Sequence, residues 1–548
     1  MTGTRAGALL GACTWIDGML AGTAPVEGLE DRFHESFLVA VPPPRLRAVL
    51  EQLAAERTGA SSNPELGEDG AATFLLHGSR PIEAVVQVAA EPPHQITGLR
   101  FRPPVAPTLT AAVKDAAAWF MDVLAGVVPL PSEDSITKRL APAFLAAVPP
   151  ATVLEVMKSA ADDKAGRSAR RVEVDGADGN FLLGDGGPGS LLGSLSVEAL
   201  PPHRIAGLLF SEVPDDAVRV ADLARHRHRA STLAPEVAAA IGAAVDRLAE
   251  QSGAPGVVAG VVLRGDVVHV EGVGEAWLGA GVAPTASTPF RVGSVSKPVT
   301  ALAVLRQVRA GTMDLGAPLD AYLDAVVVRP VNGSQQPTLR HLLTHTAGLA
   351  RDLEPASRNE TRPLEEVLAD GVEAVAPVGG SPSYSNVGFG LLGLALEAIT
   401  GRSYQDLAAD EVAGLTAPGG PPPSPPAAVG YEIRLGIVTA AEPQLVPERS
   451  AGAVVASVEQ LLVLGQRLID ETELWDSAEP AATRGLGVAL GDLDGMRTVW
   501  HNGGLSGWKA MLLTVPDAQL VVAVVMNTHA ASEDTASQIA RIVLAPTA

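Results

Sequence analysis

Apolar and polar residues alternate along the second half of the chain at spacings that predict its main elements. After Pro298, apolar residues recur three and four positions apart, which predicts a helix over 299–310. A Gly-Asp pair at 265–266 separates two apolar runs and predicts a hairpin. The same reasoning predicts helices over 236–251 and 388–399 and strands over 256–264, 267–273, 496–500, 509–515 and 520–526.

The first part of the chain contains an internal repeat. The run Phe-Leu-Val-Ala-Val-Pro-Pro at 37–43 recurs as Phe-Leu-Ala-Ala-Val-Pro-Pro at 144–150, and Phe-Leu-Leu at 74–76 recurs at 181–183 with the same spacing. Each copy is predicted to hold helices followed by two or three strands, a small α+β unit with helices packed on an antiparallel sheet. We therefore expect two tandem domains at 1–106 and 107–214, a linker at 215–234 and a third domain at 235–548.

The hydropathy pattern gives no membrane span, because no apolar run approaches the ~18 residues that one requires. The N-terminal stretch has a counterpart inside the repeat. We interpret it as the first helix of copy one rather than a cleaved leader, which predicts a cytoplasmic location.

Composition narrows the possible partners. Of 548 residues, 47% are hydrophobic and 19% charged, so the chain can bury large cores. The net charge of -22 argues against nucleic acid and anionic membranes as partners. The lone Cys13 excludes a disulfide within the chain and a Cys-based zinc site. We find no motif for a metal or cofactor, and we interpret the basic cluster at 225–229 as a solvated linker.

A serine and a lysine three positions apart, Ser294 and Lys297, are the first candidates for catalysis. On a helix this spacing puts hydroxyl and ammonium on one face, and Pro298 belongs near a helix start. The helix dipole would stabilise negative charge near Ser294. If burial and nearby cations lower the lysine pKa from ~10.4, Lys297 can accept the serine proton. The alternative is an exposed lysine beside a helix-capping serine.

The chain contains a second segment with this spacing, Ser135 to Lys138. It lies near the start of copy two, and no further motif accompanies it. We therefore discard it as a catalytic candidate.

Two later segments supply partners for Ser294 and Lys297. Tyr384 follows a Gly-rich loop and precedes an apolar helix, and a tyrosine near cations could ionise and relay protons. Asn386 is a candidate helix N-cap. His501 lies between two predicted strands; its alternatives are a catalytic role or an exposed position in a hairpin turn.

Glycines after His501 allow close approach of backbone to a ligand. The N–H of Gly504, next to Gly503, could pair with that of Ser294 as an oxyanion hole. Trp508 follows closely and is a candidate for the pocket wall or for the core.

These segments carry a family resemblance. Ser294-x-x-Lys297, Tyr384-x-Asn386 and His501-x-Gly503 resemble the three motifs of the serine β-lactamase and DD-peptidase superfamily, in particular class C β-lactamases and their esterase-like relatives. The segments 338–349 and 450–453 match as well, so the likeness covers about 235–546. It implies an antiparallel sheet flanked by helices plus a helical subdomain. It also implies that Ser294 is acylated, Lys297 is its base, Tyr384 relays protons and Asn386 contacts substrate.

The third motif departs from that of many β-lactamases, because His501 stands where they have a lysine. That lysine supports recognition of the β-lactam carboxylate, which a mostly neutral histidine does less well. Family esterases, amidases and acyltransferases have histidine here. We expect acyl transfer on ester, amide or peptide-like small molecules, with a β-lactamase or penicillin-binding protein, or a non-enzymatic ligand-binding protein, as alternatives. The oligomeric state is left open.

The two front copies resemble the N-terminal domains of some actinobacterial β-lactamase-like proteins, including one from the clavulanic acid cluster. Those domains have a cone-like, NTF2-like fold similar to that of steroid isomerases. The resemblance implies binding or scaffold domains.

Overall fold

A computed structural model describes most of the chain in two compact units, Met1–Val213 and Pro214–Ala548. No helix within the described residues is long and apolar enough to cross a bilayer. Those residues are 5–21, 29–56, 65–66, 71–76, 82–89, 94–102, 107–164, 167, 169–200, 202–323, 328–331, 334–353, 364–417, 423–442, 446–476, 483–530 and 533–545.

The first unit contains two sets of elements in the same order, helices first and strands after them. In each set the strands pair antiparallel in chain order, as β1-β2-β3-β4 and as β5-β6-β7-β8. The first set is α1 (Arg5–Leu20), α2 (Leu29–Arg32), α3 (Glu35–Ala40), α4 (Pro43–Glu56), β1 (Glu65–Leu66), β2 (Ala71–Leu76), β3 (Ile82–Val88) and β4 (Ile96–Arg102). The second is α5 (Pro107–Leu124), α6 (Glu133–Arg139), α7 (Pro142–Ala147), α8 (Pro150–Lys164), β5 (Arg170–Asp175), β6 (Asp178–Leu183), β7 (Leu191–Val197) and β8 (Ile205–Glu212).

Each set has a hydrophobic core of its own, in which Phe74 or Phe181 is buried. His94 and His203 have left-handed backbone conformations, with φ of 54° and 53°. The Nδ1 of each contacts a carbonyl oxygen five residues earlier, at 2.9 and 2.8 Å. These contacts give both histidines a role in turn structure.

The second unit is built on an antiparallel seven-stranded sheet with the order β10-β12-β11-β22-β21-β20-β19. The predicted hairpin is present between β11 and β12. The predicted strand 496–500 is longer in the structure, because β20 continues through the third motif to Leu505. The sheet strands are β10 (Arg227–Ser231), β11 (Gly256–Leu263), β12 (Asp266–Gly274), β19 (Ala489–Leu493), β20 (Met496–Leu505), β21 (Trp508–Val515) and β22 (Leu520–Met526).

Helices cover both faces of this sheet. The first and last helices, α9 and α17, form one core with it, and α16 lies against the other face, in the core that also contains α10 and α13. The helices are α9 (Pro235–Ser252), α10 (Ser296–Arg309), α11 (Leu339–Leu343), α12 (Leu364–Val367), α13 (Asn386–Thr400), α14 (Tyr404–Glu411), α15 (Arg449–Gly452), α16 (Val458–Asp470) and α17 (Glu533–Leu544).

Short strands connect the outer segments of this unit. Three of them form a small sheet in the order β16-β17-β9, and the other four pair as β13 with β18 and β14 with β15. They are β9 (Val218–Arg219), β13 (Phe290–Arg291), β14 (Val328–Arg329), β15 (Val372–Glu373), β16 (Tyr431–Arg434), β17 (Ile437–Ala440) and β18 (Val455–Ala456).

The basic cluster at 225–229 is exposed to solvent, as its composition suggested, but it is not a linker. Arg227–Ser231 is the edge strand β10, paired with β12. Arg227 and Arg229 both bind the carboxylate of Glu271, whose side chain is fully buried. Against the opposing effect of burial, His269 and these two arginines lower the pKa of Glu271 to about 2. The arginines therefore neutralise a buried acid, a long-range pairing that local composition does not reveal.

Candidate active site

Ser294 lies in a single 3-10 turn, Gly293–Val295, directly before α10. The helix begins at Ser296, earlier than predicted, and Pro298 lies in its first turn, where no intrahelical N–H is needed. Ser296 is buried and fixes the turn, because its Oγ donates to Gly293 O at 2.7 Å and accepts from Val454 N at 3.1 Å. Ser294 is partly exposed, as a residue that meets a substrate must be.

Lys297 is fully buried beside Ser294. Its Nζ lies 3.2 Å from Ser294 Oγ, 2.6 Å from Asn386 Oδ1 and 2.8 Å from the carbonyl oxygen of Ala451. The expected contact between the two side chains is present, with Ser294 in the turn before α10 rather than in the helix itself. The alternative of an exposed lysine is wrong.

The pKa of Lys297 lies well below its ordinary value, first because burial disfavours the charged ammonium. The cations Arg351 and Arg484 lower it further, while the anions Glu448 and Asp352 oppose the shift. This direction favours the neutral amine, the form in which a lysine can act as a base.

Tyr384 donates a hydrogen bond of 2.7 Å from its hydroxyl to Ser294 Oγ. Its ring stacks on His345 with centroids 4.5 Å apart, and Lys297 Nζ lies 4.7 Å from the ring centroid. His345 also accepts the backbone N–H of Ser385 at 3.1 Å. Burial lowers the pKa of His345 to about 2, so it is a neutral acceptor that holds the tyrosine loop.

Cations do surround Tyr384, as expected, but they do not ionise it. The guanidinium carbons of Arg351 and Arg484 lie 5.1 and 5.7 Å from the ring centroid. Burial outweighs them and raises the pKa of Tyr384. The resting site therefore holds a neutral phenol, against the expectation of ionisation.

Asn386 is the first residue of α13, and Ser385 rather than Asn386 caps that helix. The Ser385 Oγ accepts the N–H of Gly388 at 3.0 Å. This leaves the Asn386 amide free to enter the site, where its Oδ1 accepts from Lys297 and its Nδ2 donates to Asp352 at 2.5 Å.

His501 is buried within β20 and does not lie in an exposed turn. Its Nδ1 lies 2.6 Å from the carbonyl oxygen of Asn502. Because a carbonyl only accepts, Nδ1 carries the proton and Nε2 is left as an acceptor. Burial, together with Lys297 and Arg484, lowers the pKa of His501 to about 3, so the ring is neutral at physiological pH.

Glycines bring β20 against the Ser294 turn. A Cβ at Gly503 would lie 1.8 Å from Val292 O and 3.0 Å from Ser294 N, and one at Gly293 would lie 2.8 Å from Gly504 N. Only residues without side chains allow this approach. It places the backbone nitrogens of Ser294 and Gly504 on adjoining segments, as two oxyanion donors require.

Trp508 does not line the site. It is 7% exposed and packs edge-on against Phe290, with ring centroids 6.1 Å apart. A Cβ at Gly430 would lie 2.6 Å from its indole. The interpretation of Trp508 as a substrate contact is replaced by a packing role.

The sequence did not identify the charged residues around the site. Asp352 contacts Asn386, while Arg351, Arg484 and Glu448 act electrostatically on Lys297. They come from three separate segments, and none belongs to a motif with a spacing of its own. The one available clue was position, because Arg351 and Asp352 follow the segment 338–349 closely and Glu448 precedes the segment 450–453.

The antiparallel sheet flanked by helices, with Ser294, Lys297 and Tyr384 in mutual contact at the start of a helix, is the arrangement of β-lactamase-like proteins. A family model described as Beta-lactamase matches residues 241–546, more than half of the chain. The chain belongs to this family.

Curated relatives of several activities are similar to this chain. Penicillin-binding protein 4 of Amycolatopsis lactamdurans is 28% identical over 324 residues, covering 52% of this chain and 83% of that protein. Esterase EstB of Burkholderia gladioli is 38% identical over 117 residues, covering 21% of this chain and 30% of the esterase. A crystal structure of a beta-lactamase/D-alanine carboxypeptidase from Pseudomonas syringae aligns with a TM-score of 0.50 at 16% identity, covering 57% of this chain and 100% of that one, which shows a common fold.

Proposed function

We propose that the protein is a serine-dependent acyl-transfer enzyme that forms an acyl-enzyme at Ser294 on ester, amide or peptide-like substrates. The observation that carries the proposal is the buried Lys297, whose Nζ contacts Ser294 Oγ at 3.2 Å while its pKa is held low. A buried lysine without an acidic partner in contact is costly for a fold, and such groups cluster at functional sites.

The contacts define a sequence of proton transfers. Neutral Lys297 takes the proton of Ser294, and Oγ attacks the substrate carbonyl carbon. The N–H groups of Ser294 and Gly504 stabilise the oxyanion. The bond to the leaving group breaks, and the proton returns to that group through the Tyr384 hydroxyl, which is 2.7 Å from Oγ. Water, an alcohol or an amine then attacks the acyl-enzyme by the reverse steps.

His501 favours neutral acyl groups over β-lactams. With a pKa of about 3 it carries no charge at physiological pH and offers a carboxylate no ion pair. The relative EstB, named as an esterase, supports the same direction. A β-lactamase or penicillin-binding protein is the second candidate, favoured by the family match and by Penicillin-binding protein 4.

The test is the mass of the intact protein after incubation with a fluorophosphonate, an activated ester or a penicillin. We expect a fluorophosphonate adduct in the wild type, none in Ser294→Ala, and a normal adduct in the matched control Ser135→Ala. Turnover of the ester without lasting penicillin adduct or penicillin hydrolysis would favour the first candidate. A wild type with no adduct would favour the non-enzymatic ligand-binding protein. An adduct kept in Ser294→Ala would reject Ser294 as the nucleophile.

Hydrolysis and transacylation use the same residues, so the acceptor must be measured directly. We propose to add a primary amine or alcohol to the ester assay and to compare the acylated acceptor with the free acid by chromatography. An acid-only product identifies a hydrolase.

We further propose that 1–106 and 107–214 are tandem copies of one domain with a cone-like fold, serving as a scaffold or binding module. The matching element order supports this, as does a shared contact: Arg32 lies 4.7 Å from the Trp15 ring centroid and Arg139 lies 4.6 Å from that of Trp119. Deleting 1–213 tests the role, because unchanged kcat/KM and substrate preference would separate these residues from the site.

A further inference from the structure

The side-chain amide of Asn386 lies between a base and an acid. Its Oδ1 is 2.6 Å from Lys297 Nζ, and its Nδ2 is 2.5 Å from Asp352 Oδ1. An ionised aspartate only accepts hydrogen bonds, so it selects the NH2 end of the amide. The oxygen end is thereby turned towards Lys297.

The direction of this amide decides where the lysine can act. A neutral amine has two N–H donors and one lone pair. At Lys297 two neighbours only accept, Asn386 Oδ1 and the carbonyl of Ala451 at 2.8 Å. They take both N–H groups, so the lone pair faces the third neighbour, Ser294 Oγ at 3.2 Å. A reversed amide would donate to Lys297 and occupy that lone pair.

Of the two acceptors only the amide can reverse. The Ala451 carbonyl belongs to the backbone of α15, whereas an asparagine side chain can rotate by half a turn and exchange oxygen for nitrogen. Some neighbour must therefore hold the amide, and in the described structure the group in contact with its NH2 end is Asp352.

The backbone around Asp352 is joined to the same helix start. The Asn386 N–H donates to Arg351 O at 2.6 Å, and Ser385 Oγ donates to Ala350 O at 2.6 Å. The segment 350–352 thus holds both the backbone and the side chain of Asn386. This double attachment fixes the distance over which the carboxylate acts.

We propose that Asp352 is a positioning residue that orients the Asn386 amide and so keeps the lone pair of Lys297 directed at Ser294. The inference rests on the proposed function, because it assigns Asp352 a role in the same proton transfer. It predicts that replacing Asp352 slows the chemical step more than the loss of its charge alone would.

The charge of Asp352 and its positioning of Asn386 affect different parts of the pH profile of kcat. Asp352 and Glu448 raise the pKa of Lys297, while Arg351 and Arg484 lower it; Tyr384, His345 and His501 face it as neutral groups. Removing the Asp352 charge lowers the pKa of Lys297, so the acid limb of kcat moves to lower pH. A purely electrostatic role would move this limb and leave the plateau of kcat unchanged.

The first variant is Asp352→Asn, whose amide can donate or accept and no longer selects one end of Asn386. We expect the plateau of kcat on an activated ester to fall about ten- to a hundredfold while KM changes little. This is less than the roughly 10²–10⁴ lost with a positioned general base, because Lys297 itself remains. The matched control is Asp410→Asn, which removes an equal charge from an ion pair with Arg402 and should keep kcat.

The decisive variant exchanges the two side chains, Asp352→Asn with Asn386→Asp. The new carboxylate at 386 accepts from Lys297, and the new amide at 352 donates to it, so the polarity of the original bonds is restored. We expect most of the plateau kcat to return. The acid limb should move to higher pH, because an anion now contacts Lys297 and raises its pKa.

Two kinetic outcomes overturn the inference: an Asp352→Asn plateau equal to that of the wild type, or an exchange variant no faster than Asp352→Asn while thermal unfolding shows both folded. If Asp352→Asn does not fold, the exchange variant and Asp352→Glu decide. Each keeps one carboxylate in the pair of side chains at 352 and 386, which fixes the direction of the hydrogen bonds, and each should be active. Labelling by the fluorophosphonate is measured in parallel. A wild type that is not labelled defeats the proposed function, whereas equal labelling rates in wild type and Asp352→Asn defeat only this inference.

Discussion

Two segments of the chain have the same Ser-x-x-Lys spacing and opposite surroundings. Ser135 and Lys138 lie in the short helix α6, where the lysine side chain is 73% exposed and pairs with Asp134 at 2.5 Å. Ser294 and Lys297 lie at the start of α10, where the lysine is 0% exposed and contacts a serine and two uncharged acceptors. Spacing brings hydroxyl and amine to one helix face in both segments.

What separates them is the environment of the amine. Lys138 is exposed to water and lies beside a carboxylate, whereas burial at Lys297 disfavours the charged form and lowers its pKa. The second hydroxyl, from Tyr384, comes from a loop 90 residues away in sequence. A base is therefore made by tertiary packing, and the local motif only supplies the candidates.

The largest contrast should come from removing each lysine. We expect Lys297→Ala to lower kcat/KM on an activated ester by about 10²–10⁴, the contribution of a positioned general base. Lys138→Ala should leave kcat/KM within about twofold, since it removes an exposed side chain. Steady-state kinetics of both variants measure this, and a Lys297→Ala enzyme with full turnover would reject the base assignment.

The second contrast concerns the hydroxyl that only the Ser294 site has. Tyr384→Phe keeps the ring stacked on His345 but removes the donor to Ser294 Oγ, and we expect kcat to fall roughly 10²-fold. Tyr431→Phe is the control, because its hydroxyl accepts the N–H of Leu278 at 2.9 Å. It should lower the unfolding temperature without lowering kcat. Equal kcat in Tyr384→Phe and wild type would exclude the proton relay.

The sequence predicted the parts of the site that depend on local pattern. Ser294 and Lys297 followed from helix spacing, and the close approach at Gly503 and Gly504 from the conformational freedom of glycine. Trp508 was a candidate for the pocket wall as well as for the core, because an aromatic residue directly after a turn has the same local pattern in both. The ionisation of Tyr384 failed because burial, which outweighed the cations, is a property of the assembled fold.

Prediction of the fold from local sequence pattern was limited in the same way. Helices α9, α10 and α13 were predicted to within a few residues, since their apolar periodicity is strong. The edge strand Arg227–Ser231 was missed because its hydrophilic composition suits a linker, and its partner Glu271 is 42 to 44 residues away. Partners at such distances are set by topology.

The third contrast concerns two arginines that each lie over an aromatic ring, one near Ser294 and one near Ser135. Arg484 lies over Tyr384, and its charge lowers the pKa of Lys297. In Arg484→Met that pKa rises, so the acid limb of kcat/KM should move to higher pH and activity at neutral pH should fall roughly two- to tenfold. The limb cannot belong to His501, whose pKa is about 3.

Arg139→Met is the matched control, because Arg139 lies over Trp119 beside Lys138. Its pH profile should coincide with that of the wild type. A profile for Arg484→Met that moved to lower pH would contradict the electrostatic account of Lys297.

The smallest contrast compares two helix caps. Ser132 caps α6 by accepting the N–H of Ser135 at 3.3 Å, and Ser385 caps α13 by accepting that of Gly388 at 3.0 Å. Replacing either by alanine should reduce stability by about 1 kcal/mol, seen in denaturant unfolding. Only Ser385→Ala should also lower kcat, roughly two- to fivefold, because the helix that it caps begins with Asn386, whose amide contacts Lys297. If both variants lost stability and neither lost activity, the start of α13 would tolerate loosening, and the orientation of Asn386 would depend on the segment 350–352 alone.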